Sequence, residues 1–342
     1  MSCAPNKIQA LETEIKTNTP AFHKINIVGS TLRNGVFDPS LEYDENGTGW
    51  LSYSNVGIPQ FVETRLAKSN DEGRSWTYVS TPNKSYEETL SPKKGLKVQG
   101  AWRYETSSLL YDPTDVPSKR WKLFSERYFA KKPYKKDDAL HGAGWIELKT
   151  AATPEGPWSK EQCVLGNRDF CKTNINRLSP DLKNMSYYNE IGSIVVEGTI
   201  YLSLDASPTP SGLGEWDERS IIMIASSDHG NSWKYLGKLT QYEDAARLGY
   251  LALTGSSLAK QGSKYYLLLT PSGAKGLGKK KGHDGTLVVE FKDITKGIVN
   301  RNGSGELVIN KVIRPTLHSG GLSDYDEANS GGGLLFSQIN AK

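Results

Sequence analysis

The chain has 342 residues, of which 37% are hydrophobic, 10% aromatic and 23% charged, with 34 Gly and 16 Pro; this composition excludes disorder and collagen and implies many turns. Its 42 Lys and Arg against 38 Asp and Glu leave a formal charge of +4, which calls for no polyanionic partner such as nucleic acid. No stretch approaches the roughly 20 consecutive apolar residues of a transmembrane helix. The length admits two ordinary domains or one large all-β domain. Its 8 Trp and 17 Tyr, with apolar bodies and polar tips, suit strands and carbohydrate-facing surfaces.

At the start, Met1-Ser2-Cys3-Ala4-Pro5-Asn6 resembles a bacterial lipoprotein cut at its lipid-carrying cysteine. The expectation is an exported chain, extracellular or periplasmic, with a lipid anchor at Cys3; cytoplasmic residence with reduced thiols is the alternative. Helical spacing is largely confined to residues 10–16, within an extension over 1–20 that precedes a single domain over 21–342. Cys163 and Cys171 stand 8 residues apart around Gly166-Asn167, a spacing that permits a disulfide and equally permits two separate thiols. No CxxC pair or His/Cys cluster with zinc spacing occurs, so a structural zinc is not expected.

Strand-type runs then follow one another. Gly49-Trp50-Leu51-Ser52-Tyr53-Ser54, Arg120-Trp121-Lys122-Leu123-Phe124-Ser125, Thr199-Ile200-Tyr201-Leu202-Ser203-Leu204 and Lys264-Tyr265-Tyr266-Leu267-Leu268-Leu269 are short and rich in aromatic or branched residues, as in a sandwich, barrel or propeller. Self-similarity narrows the choice. A polar start, a small residue with Ser, an aliphatic strand, a turn and an aromatic strand recur at Phe37-Asp38-Pro39-Ser40-Leu41, Tyr104-Glu105-Thr106-Ser107-Ser108-Leu109, Asn189-Glu190-Ile191-Gly192-Ser193-Ile194 and Leu253-Thr254-Gly255-Ser256-Ser257-Leu258. A weaker fifth copy begins at Asp326-Glu327. The starts at 38, 105, 190, 254 and 327 lie 67, 85, 64 and 73 residues apart, which suits one four-stranded blade each. The expected fold is all-β: a single five-bladed β-propeller, closed with help from an N-terminal strand at residues 24–28 that completes the fifth blade.

Two copies of S-x-D-x-G-x-S-W, Ser69 to Trp76 and Ser226 to Trp233, fall where the hairpin between a blade's third and fourth strands is expected, and Thr150 to Trp158 is a degenerate version. The Asp accepts backbone N–H groups in a tight turn, Gly takes the positive φ, and Trp fills the space between sheets. These segments resemble the Asp boxes of sialidase-type propellers, where the box is structural; Asp71 and Asp228 are therefore not expected to be catalytic.

In a propeller the starts of the innermost strands converge on one mouth of the central channel. Asp38, Glu105, Glu190 and Asp326 or Glu327 would crowd carboxylates there and raise some of their pKa values by repulsion, while Thr254 breaks the series. Ion pairing with Arg33 or Arg103 is the plain alternative for each acid. The organisation resembles the five-bladed glycosidases of glycoside hydrolase family 43 and its relatives. That resemblance implies hydrolysis of a glycosidic bond by a two-carboxylate mechanism, with Asp38 as general base, Glu190 as general acid and Glu105 as the residue tuning it. Here the second-blade acid is Glu instead of the usual Asp. Carboxylate separation would decide between inversion and retention.

Arg33, Trp102, Arg103, Tyr104, Tyr188, Asn189, Thr254, Asp326 and Glu327 are candidate substrate contacts beside these acids. His318 is a further contact or a water-mediated holder of an axial calcium ion. The expected partner is a carbohydrate, and basic runs such as Lys131-Lys132-Pro133-Tyr134-Lys135-Lys136 would favour an acidic one. Two alternatives stand beside the glycosidase: a non-catalytic propeller that binds glycan or protein, and, ranked lower for want of an Arg-Ile-Pro segment, a sialidase-like exo-glycosidase. The phosphate-loop-like Gly273 to Lys280 has Lys280 in the Ser/Thr position and no helix signal after it, so it is expected to be a loop.

Overall fold

In a computed structural model, which describes residues 25–30, 36–58, 61–134, 139–208, 219–273, 283–314, 321–327 and 333–337, the alternating runs pair with their chain neighbours into successive sheets. The first sheet holds β1 (Ile27–Val28), β2 (Val36–Tyr43), β3 (Gly49–Ile58), β4 (Phe61–Ser69) and β5 (Trp76–Asn83) in the order β1-β5-β4-β3-β2. The second holds β6 (Tyr86–Lys93), β7 (Leu96–Tyr111), β8 (Trp121–Lys131), β9 (Ala139–Ala151), β10 (Gln162–Gly166) and β11 (Thr173–Asn174) in reverse order from β11 to β6. A four-stranded third sheet runs from β12 (Tyr187–Val196) through β13 (Thr199–Ser207) and β14 (Ser220–Ser226) to β15 (Lys234–Thr240).

After a short helix α1 (Tyr242–Leu248), the fourth sheet contains β16 (Ala252–Gln261), β17 (Lys264–Ser272), β18 (Thr286–Asp293) and β19 (Ile298–Val299), with β20 (Ile309–Ile313) also on β18. A fifth, two-stranded sheet pairs β21 (Asp324–Asp326) with β22 (Gly333–Leu335). The described residues therefore form an all-β propeller arrangement with four full blades and a small fifth sheet.

The sheets pack face to face in chain order, and each junction buries its own core. Trp50 and Leu66 of the first sheet meet Leu109 and Trp121 of the second. Phe124 and Ile146 of the second meet Ile191, Leu202 and Ile222 of the third, while Ile221 and Met223 meet Leu253 and Leu267 of the fourth. Leu335 of β22 packs with Leu41, Tyr53 and Trp76 of the first sheet. Asp324 on β21 accepts hydrogen bonds from both sides, from Leu41 N at 2.7 Å and from Ser257 Oγ at 2.7 Å.

The N-terminal strand differs from expectation. Ile27 and Val28 pair in parallel with Trp76 and Thr77, so β1 extends the outer edge of the first sheet and does not complete the fifth. The open edge of β5 supplies the backbone groups, and Ile27, 3% exposed, fills the core beside Trp76. Helix α1 went without a sequence expectation. Its signals are a capping box between Gln241 and Asp244 and Gly249 in a left-handed C-cap at φ 87°. The helical spacing at residues 10–16 lies outside the described residues.

The two S-x-D-x-G-x-S-W segments fold alike at the β4–β5 and β14–β15 turns. Asp71 Oδ1 accepts from Ser75 N at 2.9 Å and from Ser69 Oγ at 2.8 Å, and its Oδ2 from Ser75 Oγ at 2.6 Å. Asp228 accepts from the matching Ser232 N, Ser226 Oγ and Ser232 Oγ at 2.8, 2.8 and 2.6 Å. These bonds, the Ser75 hydroxyl first, push Asp71 down to about 2. Trp233 reaches across to Phe124 of the preceding sheet, ring centroids 6.1 Å apart. The chain also joins Cys163 to Cys171 in a disulfide with Cα atoms 4.7 Å apart.

A buried charge cluster ties the second sheet to the third. Lys122, 1% exposed, places Nζ 2.5 Å from Asp115 Oδ2 and 3.7 Å from Asp112 Oδ2, and His229 of the third-sheet turn lies 2.9 Å from the same Asp112 oxygen. Replacing Lys122 with Met removes the ammonium between two carboxylates and leaves buried Asp112 short of a counter-charge. The variant is expected to lose about 3–5 kcal/mol of stability in urea unfolding; a loss under 1 kcal/mol would show that the cluster does not stabilise the junction.

Candidate active site at the axial mouth

Every inner strand breaks its ladder once, in the same place. The register shifts between Phe37 and Ser40, Glu105 and Ser108, Asn189 and Gly192, and Thr254 and Ser257. In each shift the residue after the break has left-handed backbone: Asp38 at φ 52°, Thr106 at 45°, Glu190 at 51° and Gly255 at 54°. Leu322, just before β21, has φ 45°. Such a bulge bends a strand and re-aims its side chains and amides. Together these five positions and their neighbours line an axial cavity of about 30 Å³, room for about one water.

The recurring position corrects the sequence alignment. Asp38 and Glu190 occupy it, but Glu105 and Thr254 each precede it by one residue, and in the fifth sheet it is Leu322. Asp326 and Glu327 lie further along the strand, at the opposite end of the sheets. Asp326 accepts from Tyr43 Oη at 2.9 Å and crowds Gly73 of the β4–β5 turn, where an added Cβ would lie 2.5 Å from Asp326 Oδ2. Glu327 borders a separate cavity with Glu72, Asn70 and Asn46. Neither acid reaches the mouth.

Asp38 is 7% exposed and has no lysine or arginine partner among the described residues. Its Oδ2 accepts from Thr106 N at 3.3 Å, and its own N–H donates to Ser337 Oγ at 2.8 Å. Burial first, then repulsion from Glu105 and Glu190, pushes its carboxyl up to about 8 against the relief that Ser54 and Thr106 supply. Glu190 Oε2 accepts from Gly255 N at 2.5 Å. Glu105 accepts from the buried Tyr128 hydroxyl, over whose ring Arg103 lies at 6.0 Å. The structure thus brings Asp38, Glu105 and Glu190 into one electrostatic cluster, with Arg103 beside it.

Two acids on second strands join this cluster and were missed in the sequence. Glu126 pairs in register with Glu105, and Asp205 with Asn189. Glu126 accepts from Tyr187 Oη at 2.5 Å and from Thr106 Oγ1 at 3.4 Å. Asp205 Oδ2 meets Arg219 Nη1 at 3.3 Å, and its carboxyl also faces that of Glu190. Burial, and then the charge of Glu190, holds the Asp205 carboxyl well above the usual carboxylate range. The available signal was an acid interrupting an apolar strand, as in Leu202-Ser203-Leu204-Asp205-Ala206.

Other candidate contacts are placed elsewhere. Trp102 and Tyr104 are 6% and 3% exposed and pack around Arg127, whose Cζ lies 4.1 and 5.7 Å from their ring centroids. Tyr188 belongs to the core and donates to Asn176 Oδ1 at 3.1 Å. Asn189 is buried beside the third bulge, and Thr254 Oγ1 is 3.5 Å from Ser272 Oγ within the fourth sheet. Arg33, His318 and most of the phosphate-loop-like segment lie outside the described residues.

An axial calcium ion does not fit the described donors. Below the mouth the axis is lined by hydroxyls bonded to one another, Ser107 to Ser52, Ser108 to Ser193 and Ser256 to Ser203, and Asp324 is taken up by Leu41, Ser257 and Tyr325. Among the described residues, the acid and histidine ligand atoms that converge are those of Asp112, Asp115 and His229. Lys122 already supplies the cation there.

No protein-family model matches the sequence, and no curated protein matches it. Solved structures with similar folds include an exo-beta-1,3-galactanase from Clostridium thermocellum, with a TM-score of 0.51 and 12% identity over 84% of this chain and 50% of that one. A GH32 beta-fructofuranosidase from Bombyx mori gives 0.51 and 12% over 85% and 53%. A glycoside hydrolase family 32 structure from Bifidobacterium adolescentis gives 0.50 and 10% over 86% and 50%. The chain spans about half the length of these proteins, and the likeness is one of fold: a β-propeller arrangement.

The raised Asp38 carboxyl makes a stability prediction. Its folded value of about 8 exceeds the ordinary 3.8, so the native state keeps a proton that the unfolded chain releases. Wild-type stability should therefore fall as pH rises from about 4 to about 8. Asp38→Asn removes that charge, and Asn tolerates left-handed backbone. The variant should exceed wild type by a few kcal/mol at pH 8, with the gap closing towards pH 4, in urea unfolding across that range; parallel profiles would refute the buried-proton assignment.

Proposed function

We propose that the chain is a five-bladed glycosidase-type propeller that hydrolyses a glycosidic bond of an extracellular oligo- or polysaccharide at the axial mouth. The observation that carries this reading is the buried Asp38 beside the carboxyls of Glu105 and Glu190, at the convergence of the inner strands. Five blades are supported by the five left-handed positions around one cavity. The upward shift of the Asp38 carboxyl suits it to the general-acid role, donating to the glycosidic oxygen. Glu190, an acceptor for Gly255 N, takes the general-base role and activates water; this exchanges the roles that the family resemblance implies. Glu105 tunes Asp38 by repulsion. The Cys163–Cys171 disulfide supports export to an oxidising compartment, consistent with a lipid anchor at Cys3.

A panel of polysaccharides and activated aryl glycosides tests this. Wild type is expected to cleave at least one member, and Asp38→Asn and Glu190→Gln should each lower kcat/KM on the natural linkage by about 10²–10⁴ without loss of fold by circular dichroism. On an aryl glycoside whose leaving group needs no proton, Asp38→Asn should keep most of its activity and Glu190→Gln should not. The reverse pattern would return the roles to those implied by the resemblance. Full activity in both variants would sink the site.

The axial cavity, at about 30 Å³, is too small for a sugar ring, and this favours as second reading a non-catalytic propeller that binds glycan or protein across the mouth. Binding without cleavage of any panel member by wild type would select it.

A further inference from the structure

Outward from the mouth, the second sheet carries a row of aromatic rings that the axial acids do not use. Cross-strand pairing sets Tyr104 opposite Arg127 and Arg127 opposite Trp145, one step beyond the Glu105–Glu126 pair. Arg127 Cζ lies 5.2 Å from the Trp145 ring centroid, and Glu147 anchors the guanidinium at 2.9 Å. Phe170 then meets Trp145 edge-on, with centroids 5.1 Å apart and planes at 87°. Trp145 is partly exposed and Phe170 is 66% exposed.

The exposure of Phe170 is built in. Its turn is fixed by the Cys163–Cys171 disulfide, by Lys172 N donating to Cys163 O at 2.9 Å and by Cys171 N donating to Arg168 O at 3.2 Å. A ring displayed on a fixed turn forfeits little freedom when a ligand covers it. Beside it, exposed Asp169 accepts from Arg177 and Asn174, each at 2.9 Å, a polar rim of donors and acceptors. A flat apolar face edged by such groups matches a sugar ring, which offers C–H bonds on one face and hydroxyls around its edge. It does not match a protein interface, which needs roughly 800 Å² per partner. Exposed Tyr86 adjoins the same row, its ring centroid 5.9 Å from Arg127 Cζ, whereas Val28, Leu96, Val116 and Ile298 belong to different segments of the chain.

We propose that Phe170, supported edge-on by the adjoining Trp145, forms an outlying subsite that stacks on one ring of an uncharged polysaccharide running along the second sheet from the axial mouth. The proposal rests on the glycosidase reading for its substrate class, and its test separates the two. Arabinan, xylan, β-1,3-galactan and inulin are cast into native gels, with the silenced Asp38→Asn/Glu190→Gln protein as parent. At least one polymer should retard the parent, Phe170→Ala should weaken that retardation about five- to tenfold, and Phe170→Trp should restore it.

Equal retardation of parent and Phe170→Ala, or no retardation of the parent by any polymer, overturns the subsite. So does a change in self-association on Phe170→Ala in sedimentation velocity without sugar, which would mark a contact between copies. Hydrolysis of the same polymers by wild type is scored separately. Retardation that depends on Phe170 without hydrolysis overturns the catalytic reading alone, and hydrolysis without that dependence overturns the subsite alone.

Discussion

The left-handed residue at each inner-strand bulge organises the mouth. An L-residue held there costs about 1–3 kcal/mol, and Asp38, Thr106, Glu190 and Leu322 all accept that conformation. What the strain secures is direction. The amide of Thr106, on the second sheet, turns to the Asp38 carboxylate of the first, and the amide of Gly255, on the fourth, turns to Glu190 of the third. Successive bulges thus supply in turn a carboxyl to the cavity and an N–H to that carboxyl, so adjacent blades are registered by the groups that define the site. Glycine suits the fourth position because it takes a positive φ freely.

Crowding then sets the charge state. Asp38, Glu105, Glu126, Glu190 and Asp205 gather where, among the described residues, Arg103 and Arg219 are the nearby cations, and burial disfavours the ionised forms of Asp38 and Asp205. The neutral donors close to them, Tyr128, Tyr187, Ser54 and Thr106, relieve part of the cost. Burial and repulsion raise the carboxyls of Asp38 and Asp205, and a raised carboxyl is what proton donation near neutral pH requires. The same arrangement burdens stability, because these groups would be ionised in the unfolded chain.

Local features of this fold were legible in the sequence and non-local ones were not. The strand runs and the two Ser-x-Asp-x-Gly-x-Ser-Trp turns depend on near neighbours, and both are found where the sequence places them. The bulge escaped because it inserts one unpaired residue, so that Glu105 and Thr254 look equivalent to Asp38 while standing one place early. In the fifth sheet the conspicuous Asp326-Glu327 pair drew the alignment away from Leu322, whose side chain carries no chemical signature. Residues 24–28 read correctly in part as a strand, but a two-residue pairing does not announce which open edge it will join; the burial of Ile27 beside Trp76 decides it. Glu126 and Asp205 required the register of a second strand before their place became visible.

Beneath the mouth the repeat changes chemistry. A propeller axis brings like residues from every blade together, so a charged residue at a shared depth would meet its own copies. Here the inward positions below the bulges are largely serines. A hydroxyl both donates and accepts, so pairs such as Ser108 with Ser193 and Ser256 with Ser203 satisfy one another across blades without any ion. Asp324, the carboxylate at that depth, is occupied by Ser257 and by the amides of Leu41 and Tyr325, and burial still pushes it up to about 6. Among the described residues the axis below the mouth therefore offers Asp38 no lysine or arginine, so burial and the neighbouring acids push its carboxyl up to about 8 with only Ser54 and Thr106 in relief.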